Sequence, residues 1–320
     1  MPYANQTPPD GGLSRLAEQL LPVLYVHRLM SVRQLRMLLQ PHTTHPVYLR
    51  AQLRLLHRRG LAEATVRRSR GTGERLWYLT GLGAEVVEAA GEVRPRAYRI
   101  SPQAAASQLQ EHTLAVNDLG VALNVHARRD DDECGPLGWE PEIAHRIRDG
   151  ENRAADEAFL IPDAVISYVR TRHRQRQLLT FFAEVDRCTM PVTALAAKLH
   201  RYARYRSYVP APPPVRGRVR PAVGDGREAW RARYSTFPTL LIVLTGASGD
   251  VLARRAADLR ALAAADARLT RAGRQLVAGI TSLSLLQEHG PFAPVVTPLI
   301  GDPAATDVLL HAPSKAGSAA

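Results

Sequence analysis

The tightest constraint in this sequence is a glycine-centred turn between two short apolar segments. Ala62–Arg67 and Arg75–Leu79 read as strands, and Gly71 and Gly73 between them supply the backbone freedom a hairpin turn needs. Three short helices come before it. Leu13–Leu29 puts Leu16, Leu20, Leu24 and Leu29 on one side. Ser31 is placed to cap a second helix, Val32–Leu39, which Pro41 stops. Thr44 is placed to cap a third, which runs to about Arg59 and ends at Gly60. A helix Gly83–Ala90 follows, and residues 91–102, with Pro95 and Pro102, read as a linker.

Three helices and a glycine-tipped hairpin are the order of a winged helix-turn-helix, expected over residues 13–91. On the third helix Leu49, Leu53 and Leu56 face the core, and the opposite side carries Val47, Arg50, Ala51, Arg54 and Arg58. Guanidinium groups bond guanine edges or phosphates, and small apolar side chains touch thymine methyls, so this face suits a major groove. His45 and Tyr48 lie in the first turn, where recognition helices meet bases. Arg67, Arg68, Arg70 and Arg75 surround the hairpin tip, as phosphate-gripping residues would. The stretches LLHRRGL at Leu55–Leu61 and WYLTGLG at Trp77–Gly83 resemble winged-helix regulators of the MarR and PadR kind.

The charge distribution agrees. The net charge is +12, yet residues 1–100 hold 15 Arg against 7 acids and residues 209–236 hold 6 Arg against 2, while the rest balances. A localised basic surface points to a polyanion, and double-stranded DNA is the expected partner. Residues 209–236, rich in Pro, Arg and Gly, read as a disordered insertion. Cys134 and Cys188 are too few for a disulfide framework, no apolar run is long enough to span a membrane, and MPYANQTPPDGG lacks a secretory pattern. A cytoplasmic protein without membrane contact is expected, with a homodimer among its expected states.

Past residue 102 the reading is a long helix, Gln103–Ala127, then strands at Gly138–Arg146, Leu160–Val169 and Gln177–Asp186. A helix Pro191–Tyr208, a strand Phe237–Leu244 and a helix Gly249–Leu269 follow, with short strands near Ile280–Leu286 and Ala293–Ile300. The fold class is α/β of the α+β kind, and residues 103–303 have the α-β-β-β-α-β order of restriction-endonuclease-like, PD-(D/E)xK nucleases. Pro162–Asp163 and Glu184–Val185–Asp186 supply two pieces of that motif. The carboxylates of Asp163 and Glu184 suit a shared Mg²⁺ or Mn²⁺, which polarises a phosphate and activates water. Glu140 is a candidate third ligand, with Glu142 beside it. Asp186 stands where the motif expects lysine. Lys198, on the next helix, is the candidate replacement, and Asp163, Glu184, Asp186 and Lys198 are the candidate catalytic set. Glu111 and Asp118 on the long helix are read first as solvated charges. Tyr202 and Tyr205 offer a nucleophile, although tyrosines at helical spacing more often pack.

Over roughly residues 13–208 the chain resembles the replication-relaxation family of actinobacterial plasmids and integrated elements. The residues that carry the resemblance are WYLTGLG, EHTLAVNDL at Glu111–Leu119, PDAV at Pro162–Val165 and FFAEVDRCTMPVTALAAKLHRYARY at Phe181–Tyr205. The resemblance implies a DNA-binding protein tied to replication or DNA relaxation. Two readings stand: metal-dependent DNA nicking, or a non-enzymatic regulator or replication accessory factor whose nuclease fold is degenerate. A ligand-sensing regulator has no small-molecule motif to support it.

Overall fold

The computed structural model describes residues 12–68, 73–96, 99–107, 109–150, 158–211, 226–272 and 276–310. They form a mixed α/β chain that divides into two compact units, Met1–Glu140 and Pro141–Ala320. Arg70 and Gly71 of the expected hairpin tip, and residues 212–225 of the expected insertion, lie outside the described residues.

In the first unit, α1 (Arg15–His27) starts where the Ser14 side chain accepts from the Ala17 N–H. It leads into β1 (Met30–Ser31) and α2 (Val32–Leu39), whose Ser31 and Gln34 form a reciprocal capping box. Helix α3 spans Val47–Arg58 with Leu49, Leu53 and Leu56 fully buried. Its N-cap is Pro46 rather than Thr44, and no side chain caps it. Gly60, at φ 70°, then turns the chain into the hairpin. Strands β2 (Ala62–Val66) and β3 (Arg75–Leu79) pair antiparallel from Ala62 opposite Leu79 to Val66 opposite Arg75. Strand β1 adds to β3 with Met30 opposite Trp77, giving the order β1-β3-β2. Helix α4 (Gly81–Ala90), capped by Thr80, ends at the left-handed Gly91.

The unit continues through the expected linker. A short α5 (Pro102–Ala105) precedes α6 (Gln110–Arg129), so the long helix starts later than its sequence suggests. The physical reason that α6 belongs to this unit is a buried polar joint. Asn117 donates to the carbonyls of His27 and Leu29 at 3.2 and 2.9 Å, and Gln34 donates to the Leu114 carbonyl at 2.9 Å. The Trp139 indole stacks on His27 at 3.9 Å and donates to Asn117. Gly120 makes room for it, since a Cβ there would sit 2.3 Å from the indole. Glu111 and Asp118 face this unit: Glu111 pairs with Arg67, and Asp118 with Arg33 and Gln34.

The expected strand Gly138–Arg146 breaks at Glu142, which takes φ 54°. It leaves β4 (Trp139–Pro141), where the two units divide, and β5 (His145–Arg146), which pairs with β6 (Phe159–Leu160). Five further strands of the second unit lie in a mixed sheet: β7 (Ala164–Arg172), β8 (Gln175–Asp186), β9 (Thr239–Leu244), β10 (Ala278–Ser282) and β11 (Thr297–Pro298). Their order is β11-β10-β9-β8-β7. β7 and β8 are antiparallel, β8, β9 and β10 run parallel, and β11 returns antiparallel. The parallel steps are made by α7 (Val192–Ser207) and by α8 (Gly249–Ala265) with α9 (Ala267–Ala272). Phe182, Leu199, Tyr202, Leu240, Ile242 and Leu259 close one core between α7, α8 and the sheet.

Two expectations change here. The second half of Ile280–Leu286 is helical, α10 (Leu283–His289), because Ser282 caps it by accepting from the Leu285 N–H. The end of the expected insertion is ordered, because a 3-10 turn at Ala229–Ala232 buries Trp230, whose indole donates to the Arg206 carbonyl at 3.1 Å. Among the described residues no helix is long and apolar enough to cross a membrane.

Candidate functional site

The first unit presents a cleft of about 500 Å³. Arg33 and Arg36 of α2, Arg50 and Arg54 of α3, and Arg75 and Trp77 of β3 line it, with Glu74 as the acid among them. The local cause is helical spacing. Burial of Leu49, Leu53 and Leu56 turns Arg50, Arg54 and Arg58 outward, and all three are exposed. Val47 is 67% exposed on the same side, His45 is exposed and Tyr48 half-buried. Arg50 and Arg54 make no ion pair among the described residues, and neither does Arg75.

Two other hairpin arginines, Arg67 and Arg68, are engaged within the unit. Arg67 reaches both oxygens of Glu111 at 2.7 Å and Glu74 at 2.9 Å, and these carboxylates hold its guanidinium well above its ordinary pKa. Arg68 donates through its backbone N–H to Gln110 and through its side chain to the Ala106 carbonyl. They tie the hairpin to α5 and α6 rather than extending from its tip. Arg33 and Arg36 were not singled out from the sequence. Their signal was available, since they alternate with buried Gln34, Leu35 and Leu38 on α2.

The second unit brings Asp163, Glu184 and Lys198 together. The β7–β8 register, Ala164 opposite Ala183, extends to put Asp163 opposite Glu184. Phe182 and Glu184 lie two apart on β8, so both face the layer of α7. Lys198 and Tyr202, four apart on α7, face back. The ammonium of Lys198 lies 2.5 Å from Glu184 Oε2 and 3.4 Å from Asp163 Oδ1. The Tyr202 hydroxyl donates to Glu184 Oε1, and the Val185 N–H to Asp163 Oδ2 at 2.7 Å.

The electrostatics follow from burial. Glu184 is 3% exposed; desolvation, with the Asp163 charge beside it, pushes its carboxyl up to about 8. Burial works against the Lys198 ammonium, yet Glu184 and Asp163 outweigh it and hold the amine above its ordinary value. Tyr202 is fully buried, and desolvation together with Glu184 raises its hydroxyl well above the ordinary value, which opposes a nucleophilic role. Tyr205 is likewise buried in the aromatic core.

The remaining candidates lie elsewhere. Asp186 pairs with Arg255 of α8 and accepts from the Cys188 N–H, so it ties β8 to α8. Glu140 is exposed and ends the first unit. Among the described residues no group of three or more His, Cys, Asp or Glu is placed to hold a metal ion.

The first unit thus carries an arginine-lined cleft, and the second a buried acid–acid–lysine cluster. A family model described as Replication-relaxation matches residues 21–214, well over half of the chain, and the chain belongs to that family. The match includes both the cleft and the cluster, and membership supports a role in replication or relaxation. No curated protein and no solved structure matches the chain.

Proposed function

We propose that the protein binds double-stranded DNA of a plasmid or integrated element during replication or relaxation, and nicks it with a divalent cation. In this reading the first unit is a winged helix-turn-helix whose α3 enters a major groove. The observation that carries DNA binding is the cleft: Arg50, Arg54 and Arg75 converge there with no acidic partner among the described residues. Guanidiniums left without carboxylates are held ready for phosphates and guanine edges.

Nicking is supported by the meeting of Asp163, Glu184 and Lys198 on a mixed sheet of the nuclease-like order. The donor set fits Mg²⁺ or Mn²⁺, because such ions take one or two carboxylates and leave other positions to water and phosphate. Asp163 and Glu184 would hold the ion, and when bound it supplies Lewis acidity at a phosphate oxygen. The chain's own groups do the rest. Val185 N–H and Tyr202 fix the two carboxylates, and Lys198 brings a positive charge to the developing phosphate charge.

One observation favours the second reading, an accessory factor that binds without cutting. Asp186 occupies the motif's lysine position and is spent on Arg255. Supercoiled plasmid carrying the DNA that flanks the protein's own gene separates the two. The enzyme reading expects open-circular product with Mg²⁺ or Mn²⁺, none with chelator, and none from Asp163→Asn or Glu184→Gln. Intact plasmid alongside clear duplex binding supports the accessory factor, and no duplex binding contradicts both.

A further inference from the structure

The β7–β8 hairpin of the second unit carries a basic surface that a net charge for the whole unit conceals. From Ala164 to Ala183 there is no acid, and Arg170, Arg172, His173, Arg174 and Arg176 crowd its far end. Residues 172–178 are all exposed. The pairing ends with Arg172 opposite Gln175, so His173 and Arg174 alone make the turn. They take φ 50° and 64°, the left-handed region that such two-residue turns demand and that Asn-Gly occupies with least strain. A histidine and an arginine, both bulky, therefore sit where the backbone disfavours them, which points from an observed strain to a function for the side chains.

The hairpin is also braced. The Arg170 guanidinium lies 3.9 Å from the centre of the Phe292 ring, Arg172 lies 5.7 Å from it, and Tyr168 meets the ring edge-on at 5.4 Å. Cation–aromatic contact helps hold these arginines at the hairpin. Asp163 and Glu184 lie at the other end of the same two strands. Eight residue steps of strand separate Ala164 from Arg172, about 26 Å, somewhat under one turn of duplex.

We propose that the tip of this hairpin is a second DNA contact, gripping duplex phosphates and placing the strand within one helical turn of the Asp163–Glu184–Lys198 cluster. The proposal rests on the reading of DNA as the partner but not on the cleft of the first unit. The recognition is sequence-independent, since the arginines are offered to phosphates.

The test uses the full chain and anisotropy of a labelled duplex of about 40 base pairs across a salt series. Arg172→Ala/Arg174→Ala/Arg176→Ala should weaken binding more than tenfold in low salt and flatten log affinity against log salt by about two to three. Lysine at the same three positions should restore most of both. A second variant, His173→Asn/Arg174→Gly, relieves the turn: it should raise Tm by a few degrees while weakening binding. An unchanged salt slope in the triple alanine variant, while Arg50→Ala/Arg54→Ala lowers it, overturns the hairpin contact and leaves the cleft standing. The converse pattern overturns the cleft and keeps the hairpin. Wild-type protein without salt-dependent duplex binding overturns both.

Discussion

The cleft of the first unit and the cluster of the second use charge in opposite ways. Arg50, Arg54 and Arg75 share one sign, face solvent and lack acidic partners among the described residues. Glu184, Asp163 and Lys198 are packed against each other, with Glu184 almost fully buried. An exposed cation costs the fold almost nothing, and its interaction energy remains available to a partner. A buried pair has already lost its hydration, so each member depends on the other. The cleft therefore keeps interaction energy in reserve, whereas the cluster makes a fixed local field. Substitutions in the two should separate cleanly: those in the cleft change binding, and those in the cluster change stability as well as any chemistry.

The largest effect is expected at Glu184. Glu184→Ala removes the buried acceptor shared by Lys198 and Tyr202, leaves the ammonium with Asp163 alone, and should cost about 2–3 kcal/mol in urea unfolding. Glu184→Gln, which keeps the shape and the Tyr202 hydrogen bond, should cost much less. A loss below about 1 kcal/mol for the alanine variant would show that the cluster is already hydrated.

Acid probes the buried histidines of both units next. Burial lowers His27 to about 3 and His145 to about 4. Their folded pKa values lie below the unfolded value of about 6.5, so their contribution is complete above pH 6.5 and is lost as pH falls. Between pH 6 and 4 each should add a slope approaching about 1.4 kcal/mol per pH unit. His27→Gln should remove one such increment from stability measured against pH, and a wild-type slope in that variant would contradict the burial argument.

Smaller effects distinguish one arginine from another inside the first unit. Arg67→Ala breaks the contacts to Glu111 and Glu74 and should cost about 1–2 kcal/mol. Arg75→Ala and Arg54→Ala should change unfolding by no more than about 0.5 kcal/mol while weakening duplex binding.

Most of the first unit was legible because its signals are local. The Ser31 cap, Gly60, the Leu49–Leu53–Leu56 stripe and the strands Ala62–Val66 and Arg75–Leu79 each act within a few residues. Which arginines stay free was not legible, because the partners of Arg67 and Arg33 lie on α6, far along the chain. For the same reason α6 read as the start of the second module, although Asn117 and Gln34 join it to the first. In the second unit the meeting of Asp163, Glu184 and Lys198 followed from strand order and one conspicuous lysine. The position of Asp186 depended on Arg255, 69 residues away, and could not be anticipated. The hairpin arginines were plainly visible at Arg170–Arg176 but vanished once charge was summed over the whole unit.

The central claim, that unpartnered arginines of α3 hold duplex DNA, is tested most directly by the salt dependence of binding. Affinity for a duplex should be measured for wild type and Arg50→Ala/Arg54→Ala across a range of salt. If both arginines bind phosphates, the slope of log affinity against log salt falls in magnitude by about two, with unfolding stability unchanged. A slope and affinity equal to wild type would contradict the account.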